Sequence, residues 1–179
     1  MAEKWKNTYR IESARWQNWD YTWDGTYFIT ICTENHQHYF GKIHKHRMVL
    51  SPAGILADVF WHQIPIFSPH VQLGEFVVMP NHIHGILILD SLTSEEYTVP
   101  SGKTIAKQRQ FNNDGRSVSS ILGHYKGAVT KHSKRLGFDM KWQSRFYDRV
   151  IRSQKEHQRI ATYISRNIEK WGDDCYFSM

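Results

Sequence analysis

The chain has 179 residues, of which 40% are hydrophobic and 14% aromatic, and its formal net charge at pH 7 is +6. This composition excludes an intrinsically disordered chain, and the length suits one domain over residues 1–179. There is no apolar run of about 18 residues and no N-terminal apolar segment of the secretory type, so we expect neither a membrane span nor export. The excess of lysine and arginine favours an anionic partner, most simply a nucleic acid.

The number and spacing of the cysteines indicate the redox state of the protein's compartment. Cys32 and Cys175 are the two cysteines of the chain and lie far apart in it. Two such residues do not make a disulfide framework. We therefore expect reduced thiols in a cytoplasmic protein.

The first predicted elements are an arm and three strands. Residues 1–25 are polar and aromatic without a clear period, which predicts an irregular arm on the surface. The β-branched and aromatic stretch 26–34 predicts a strand. Residues 38–43 and 47–50 predict two short strands joined by a turn. These signals place a β-rich unit at the start of the domain.

A helix and a hairpin follow. The helix is expected to begin at Pro52, because proline suits the first helical position, and to end before Pro65. Its expected core-facing positions are Ile55, Leu56, Val59 and Phe60. Residues 74–79 and 82–89 read as two strands around a Pro-Asn break, which is typical of a hairpin.

The C-terminal half contains a long loop and two further helices. Residues 91–116 are poor in apolar side chains and predict a long loop or insertion. Helices are predicted over 117–137 and 153–171, with a connector and a short strand over 140–152. The resulting order, β-β-β-α-β-β-α-β-α, predicts an α+β fold with a largely antiparallel central sheet and packed helices.

Three His-x-His pairs are candidate metal ligands, because residues i and i+2 of a strand face the same way. They are His36 with His38, His44 with His46, and His82 with His84. The first two pairs have polar middle residues and fall at predicted turns, where the direction of the side chains is not set. The third has Ile83 between the histidines and continues into an apolar strand, which would hold both imidazoles rigidly. The alternative is two hydrogen-bonded surface histidines at the end of a strand.

The last predicted helix carries a candidate partner for these histidines. Ser153 and Glu156 match a capping box at its start. At 100° per residue, Tyr163 and Asn167 lie one turn apart along a flank of the core-facing arc. That arc consists of Ile160, Ile164, Ile168 and Trp171. Packing is the ordinary role of such a tyrosine, so on the residues alone both interpretations stay open.

Several ordered blocks together resemble the single-tyrosine HUH transposases, in particular the REP-associated tyrosine transposases. The blocks are PNHIHGILI, WQSRFYDRVIRSQKE and TYISRNIEKW, with further likeness in DYTWDGTYFITICTENHQHYFG and SILGHYKGAVTK. The resemblance covers most of residues 15–172 except the loop at 91–116. It implies a ferredoxin-like or RRM-like HUH endonuclease fold.

The resemblance also implies roles for individual residues. His82 and His84 match the metal-binding histidines, Tyr163 matches the nucleophile, and Asn167 matches a third metal ligand, with Mg²⁺ or Mn²⁺ as the ion. The family often has proline after this asparagine, whereas this chain has Ile168. Without that proline, we expect the helix to continue toward Trp171.

The implied activity is cleavage and rejoining of single-stranded, hairpin-associated DNA through a 5′-phosphotyrosine intermediate. Basic residues near the expected site are candidate phosphate contacts; they are Arg15, Arg145, Arg149, Arg152 and Arg166. A monomer is favoured, with a homodimer as the alternative. The competing functions are a catalytically silent DNA-hairpin-binding or regulatory protein and an RNA-binding RRM-like protein.

Overall fold

The computed structural model describes residues 23–90 and 116–177, together with the backbone of residues 4–5 and 8–9. Its helices are α1 (Pro52–His62), α2 (Ile64–Phe67), α3 (Val118–Arg135) and α4 (Gln154–Ser165). Its strands are β1 (Lys4–Trp5), β2 (Thr8–Tyr9), β3 (Gly25–Cys32), β4 (Gly41–His44), β5 (Arg47–Leu50), β6 (Val71–Val78), β7 (His82–Leu89) and β8 (Tyr147–Ile151). The predicted loop at 91–116 lies almost entirely outside the described residues.

The central sheet has four antiparallel strands in the order β6-β7-β3-β8. With α1 and α3, these strands form a β-α-β-β-α-β series, the ferredoxin-like arrangement. The α+β prediction is thus confirmed. β4 and β5 form a separate hairpin, and β1 pairs with β2 inside the arm that we had expected to be irregular. None of the helices in the described ranges is long and apolar enough to cross a membrane.

The sheet buries both of its faces, which explains the nearly continuous apolar run of β7. Side chains of β7 alternate between the faces. Ile83 and Leu87 belong to the larger core beneath α1 and α3. Ile86 belongs to a smaller core with Ile160 and Ile164 of α4. The histidines of β7 share the face of Ile86, so the sheet presents them to α4.

The larger core is organised around Trp61, which is fully buried and stacks on Phe76 with the ring centroids 4.6 Å apart. A side chain at Gly85 would overlap the Trp61 ring, so this position of β7 must remain glycine. α1 buries small residues and Trp61, while Ile55 and Val59 are exposed. The predicted core face of α1 is therefore partly wrong, because close approach of the helix to the sheet favours its smallest side chains.

α4 begins as predicted and ends earlier. Ser153 Oγ accepts a hydrogen bond from the Glu156 N–H at 3.2 Å, and the Glu156 carboxylate accepts one from the Arg152 N–H at 3.0 Å. The helix ends at Ser165, and the Asn167 N–H then donates to the Ile164 carbonyl. The predicted continuation to Trp171 is wrong, because the chain turns after Ser165. The turn places the Trp171 indole near His82, with the ring centroids 6.0 Å apart.

Candidate active site

His82 and His84 lie at the start of β7, between β6 and β3 in the sheet. Both are buried, with 0% and 1% of their surface exposed, and their ring centroids are 4.5 Å apart. The alternative of two surface histidines is therefore wrong. Their shared direction follows from the two-residue period of the strand.

The tautomer of His82 is set by Asn81. The Asn81 amide nitrogen donates to the carbonyls of His36 and Tyr176, at 3.2 and 2.8 Å. This orients the Asn81 Oδ1 toward His82 Nδ1, 2.8 Å away, and an amide oxygen can only accept. His82 Nδ1 must therefore carry the proton, which leaves its lone pair on Nε2. That atom is buried and has no hydrogen-bond partner among the described residues.

His84 is held between two strands and faces α4. Its Nδ1 lies 2.8 Å from the Thr30 hydroxyl of β3, and its ring stacks on Phe28 with the centroids 5.3 Å apart. Its Nε2 lies 3.2 Å from the Tyr163 hydroxyl. The sheet and one aromatic neighbour thus aim this nitrogen at the tyrosine.

Burial makes both histidines neutral bases. Burial, together with the neighbouring His84 and His36, lowers the pKa of His82 to about 2. Burial also lowers the pKa of His84 to about 3. At neutral pH each ring therefore has a free lone pair, as metal ligation requires.

Tyr163 lies on α4 with 43% of its surface exposed, and its ring meets Phe28 edge-on with the centroids 6.3 Å apart. Burial and the charge of Asp174 raise the pKa of its phenol to about 12, while a hydrogen bond from the Asn167 side chain opposes this rise. The hydroxyl therefore stays protonated at neutral pH unless a cation or a base acts on it.

Asn167 lies in the turn after α4 and is 2% exposed. Its Oδ1 is buried without a hydrogen-bond partner in the described residues. The asparagine predicted from helical spacing thus reaches Tyr163 from a turn, and its oxygen is free to accept or ligate.

Two further site residues, Asp174 and Tyr176, come from the C-terminal segment and were missed in the sequence. The ligand atoms of His82, His84 and Asp174 all lie within 4.8 Å of one another. The Tyr176 ring packs on His82 with the centroids 4.6 Å apart. The only local signal was an acidic and aromatic run, GDDCYF, without any period that would aim it at the sheet.

The donor atoms of the site fit a divalent cation. His82 Nε2, Asn167 Oδ1 and Asp174 Oδ2 are all buried, and none has a hydrogen-bond partner among the described residues. Buried polar atoms are normally paired, so these unpartnered acceptors need an explanation. His82 and Asp174 offer ligand atoms within 4.8 Å of each other, and two acceptors cannot satisfy one another, whereas a cation can satisfy both.

The predicted arginines that the structure describes lie at the protein surface. Arg145, Arg149, Arg152 and Arg166 are all exposed. Arg149 forms an ion pair with Glu156 at 2.7 Å. Arg15 lies outside the described residues.

The remaining histidine pairs and tyrosines are not equivalent to those of the site. His44 and His46 are exposed at the β4–β5 turn. His36 and His38 instead pack on Tyr176 and Trp171 of the C-terminal segment. Tyr125 of α3 is buried in the larger core and donates to the Ala57 carbonyl.

The chain is similar to known proteins in sequence and in fold. No protein-family model matches the chain. An uncharacterized protein of Haemophilus influenzae is 34% identical over 164 residues, covering 90% of each protein. The solved structure of the REP-associated tyrosine transposase bound to a REP hairpin has a TM-score of 0.60 at 22% identity, covering 91% of this chain and 75% of that one. A candidate transposase of Deinococcus radiodurans is more distant, with a TM-score of 0.43 at 15% identity.

Together these comparisons place the chain by descent and by fold. The similarity to the Haemophilus protein extends over nearly the whole of both sequences. The similarity of fold to the solved transposase covers 91% of this chain. The chain belongs to the same family as the Haemophilus influenzae protein, and it has a REP-associated tyrosine transposase-like fold.

Proposed function

We propose that the protein is a transposase-type endonuclease and strand transferase that acts on single-stranded, hairpin-associated DNA with Tyr163 as nucleophile. The observation that carries this proposal is the 3.2 Å separation of the Tyr163 hydroxyl from His84 Nε2. This distance places a half-exposed phenol beside a pair of buried, neutral imidazoles. A nucleophile of this kind needs an activating group close to it, and an ion held by these imidazoles would be that group.

Hairpin DNA is the proposed substrate for two reasons. The transposase of similar fold was solved bound to a REP hairpin. The net charge of +6 and the exposed arginines suit a phosphate backbone. We assign phosphate contacts to Arg145, Arg149, Arg152 and Arg166, and to Arg15 of the arm. About half of the Arg149 side chain is exposed in its ion pair with Glu156, so a phosphate can reach the guanidinium from solvent.

His82, His84 and Asn167 would hold a divalent ion, Mg²⁺ or Mn²⁺. When bound, such an ion polarises the scissile phosphate and offsets its negative charge. The two imidazoles supply nitrogen lone pairs, and Asn167 supplies an amide oxygen. This mixture of nitrogen and oxygen donors favours Mn²⁺ over Mg²⁺, which prefers oxygen alone.

The covalent step exchanges one phosphate ester for another. The Tyr163 oxygen forms a bond to phosphorus, and the bond from phosphorus to the 3′ oxygen breaks. The products are a 5′-phosphotyrosine and a 3′-hydroxyl. The phenol loses a proton and the leaving oxygen gains one. Because ester bond energy is retained, an incoming 3′-hydroxyl can reverse the step without ATP.

The proton of Tyr163 needs an acceptor besides His84. His84 Nε2 has one lone pair, so it cannot bind an ion and accept this proton together. We assign this role to solvent, which reaches the partly exposed Tyr163 side chain.

The experiment is incubation with end-labelled single-stranded hairpin DNA and Mn²⁺, followed by a denaturing gel. We expect a covalent protein–DNA adduct from the unaltered protein and none from Tyr163→Phe, with hairpin binding retained. EDTA added before the DNA should also prevent the adduct from forming. The matched control is Tyr147→Phe, since Tyr147 is 42% exposed and its ring also meets Phe28 edge-on, at 6.4 Å.

An adduct that persists in Tyr163→Phe would overturn the nucleophile assignment. Tyr176→Phe would then be tested, because Tyr176 also lies against the histidines. Hairpin binding without any adduct from the unaltered protein would favour the catalytically silent DNA-binding alternative.

A further inference from the structure

We propose that Asp174 of the C-terminal segment is a protein ligand of the divalent ion, beside His82 and His84. This inference rests on the proposed metal-dependent function and extends it. It makes the segment after α4 part of the metal centre. It also adds a charged ligand to a set that otherwise contains only neutral donors.

The spacing of the donor atoms suits a shared ion. The ligand atoms of the three residues lie within 4.8 Å of one another. Around an ion with ligands at about 2.1 Å, neighbouring ligand atoms are about 3 Å apart and opposite ones about 4.2 Å. The 4.8 Å limit exceeds the separation of opposite ligands by only about 0.6 Å, so small adjustments of the three side chains would bring their ligand atoms around one ion.

The free oxygen of Asp174 needs a positive partner. Its Oδ1 accepts a hydrogen bond from the Tyr176 N–H at 2.7 Å. Its Oδ2 is buried without a hydrogen bond, and no lysine or arginine of the described residues forms an ion pair with Asp174. His82 Nε2 is equally unpartnered. A buried carboxylate oxygen beside an imidazole lone pair is unfavourable unless a cation lies between them.

The backbone around Asp174 is held in place, so its position is not that of a free chain end. The Tyr176 carbonyl accepts the 2.8 Å hydrogen bond from the Asn81 amide. The Tyr176 ring packs on both His36 and His82. On the other side of Asp174, a 3₁₀ turn runs over Trp171–Asp173. The residue that orients His82 is thus also the one that anchors Asp174.

The carboxylate changes the charge of the centre. A divalent ion with two neutral imidazoles carries +2, and a carboxylate lowers this to +1. That charge balances the single negative charge of one phosphodiester. A carboxylate oxygen also shifts the preference of the site toward hard ions such as Mn²⁺.

The test is Mn²⁺ binding by the full chain, followed through the electron paramagnetic resonance signal of free Mn²⁺. Asp174→Asn keeps the size of the side chain and an acceptor for the Tyr176 N–H. We expect it to weaken Mn²⁺ binding at least about 10-fold, because removing supporting groups alone commonly costs that much. Asp173→Asn is the matched control, since Asp173 is exposed and outside the cluster. It should bind Mn²⁺ as the unaltered protein does.

Two results separate this inference from the proposed function. If His82→Ala abolishes Mn²⁺ binding while Asp174→Asn binds normally, the role of Asp174 is wrong and the metal centre stands. If the unaltered protein binds no Mn²⁺, or His82→Ala binds it fully, both are overturned. Should circular dichroism find Asp174→Asn unfolded, Asp174→Ser replaces it and the same comparison decides.

Discussion

Replacing Asn81 by alanine should destabilise the fold and weaken metal binding together. The Asn81 side chain is fully buried and takes part in three hydrogen bonds, to the His36 carbonyl, the Tyr176 carbonyl and the His82 ring. Each such bond contributes about 1 kcal/mol net to the free energy of unfolding. The cost of losing it is larger where the remaining partner stays buried without water. We therefore expect a loss of about 3 kcal/mol in the free energy of unfolding. For a chain of this size that lowers Tm by about 6–12 °C.

Replacing Asn81 by alanine should also weaken metal binding. Without Asn81, the proton on His82 Nδ1 loses its acceptor, and the chain around Asp174 loses the hydrogen bond to the Tyr176 carbonyl. Groups that orient a metal ligand commonly contribute about 10- to 100-fold to metal affinity. We expect Mn²⁺ affinity to fall by at least about 10-fold, measured under conditions where the variant is still folded.

The assays are urea unfolding and Mn²⁺ titration, with Tyr125→Phe as control. Tyr125 donates one buried hydrogen bond, to the Ala57 carbonyl, in the larger core on the other face of the sheet. Its loss should cost about 1 kcal/mol and leave Mn²⁺ affinity unchanged. If Asn81→Ala costs no more than this control, the hydrogen-bond account is wrong. If it costs 3 kcal/mol with normal Mn²⁺ affinity, Asn81 does not position His82.

Two further predictions concern the scaffold. Gly85→Ala should destabilise the protein by about 1–3 kcal/mol in urea unfolding, because the new methyl group would overlap the buried Trp61 ring. Gly127→Ala, in the interior of α3 with open space around it, should instead stabilise by about 0.5–1 kcal/mol; an equal effect of the two would refute the packing argument. Ser153→Ala should cost about 1 kcal/mol in thermal unfolding, since it leaves the Glu156 N–H at the start of α4 without its cap. An unchanged Tm would mean that α4 does not depend on this cap.

Local patterns were sufficient for most of the fold. The β-branched and aromatic residues of β3 predicted a strand, and the Pro-Asn break predicted the hairpin of β6 and β7. Ser153 and Glu156 located the start of α4. Each of these signals depends on residues close together in the chain, where backbone sterics and capping act. The strand period also placed His82 and His84 on one face, and the spacing of Tyr163 and Asn167 linked them to each other.

Packing decided the rest. The core face of α1 depends on the fit of Trp61 against Gly85, two residues that meet only when the helix lies on the sheet. α4 ends at Ser165, and the later chain packs Trp171 near His82. No local period could foresee that contact.

For the candidate site too, the sequence determined some features and the tertiary structure determined others. The sequence alone determined that two imidazoles point in one direction, because a strand alternates its side chains whatever surrounds it. Only the tertiary structure decided which helix faces them, how Asn81 fixes the His82 tautomer, and that Asp174 completes the group of donors. These contacts join β7 to residues far along the chain, and such contacts follow from the burial of whole faces, which no short stretch of sequence contains.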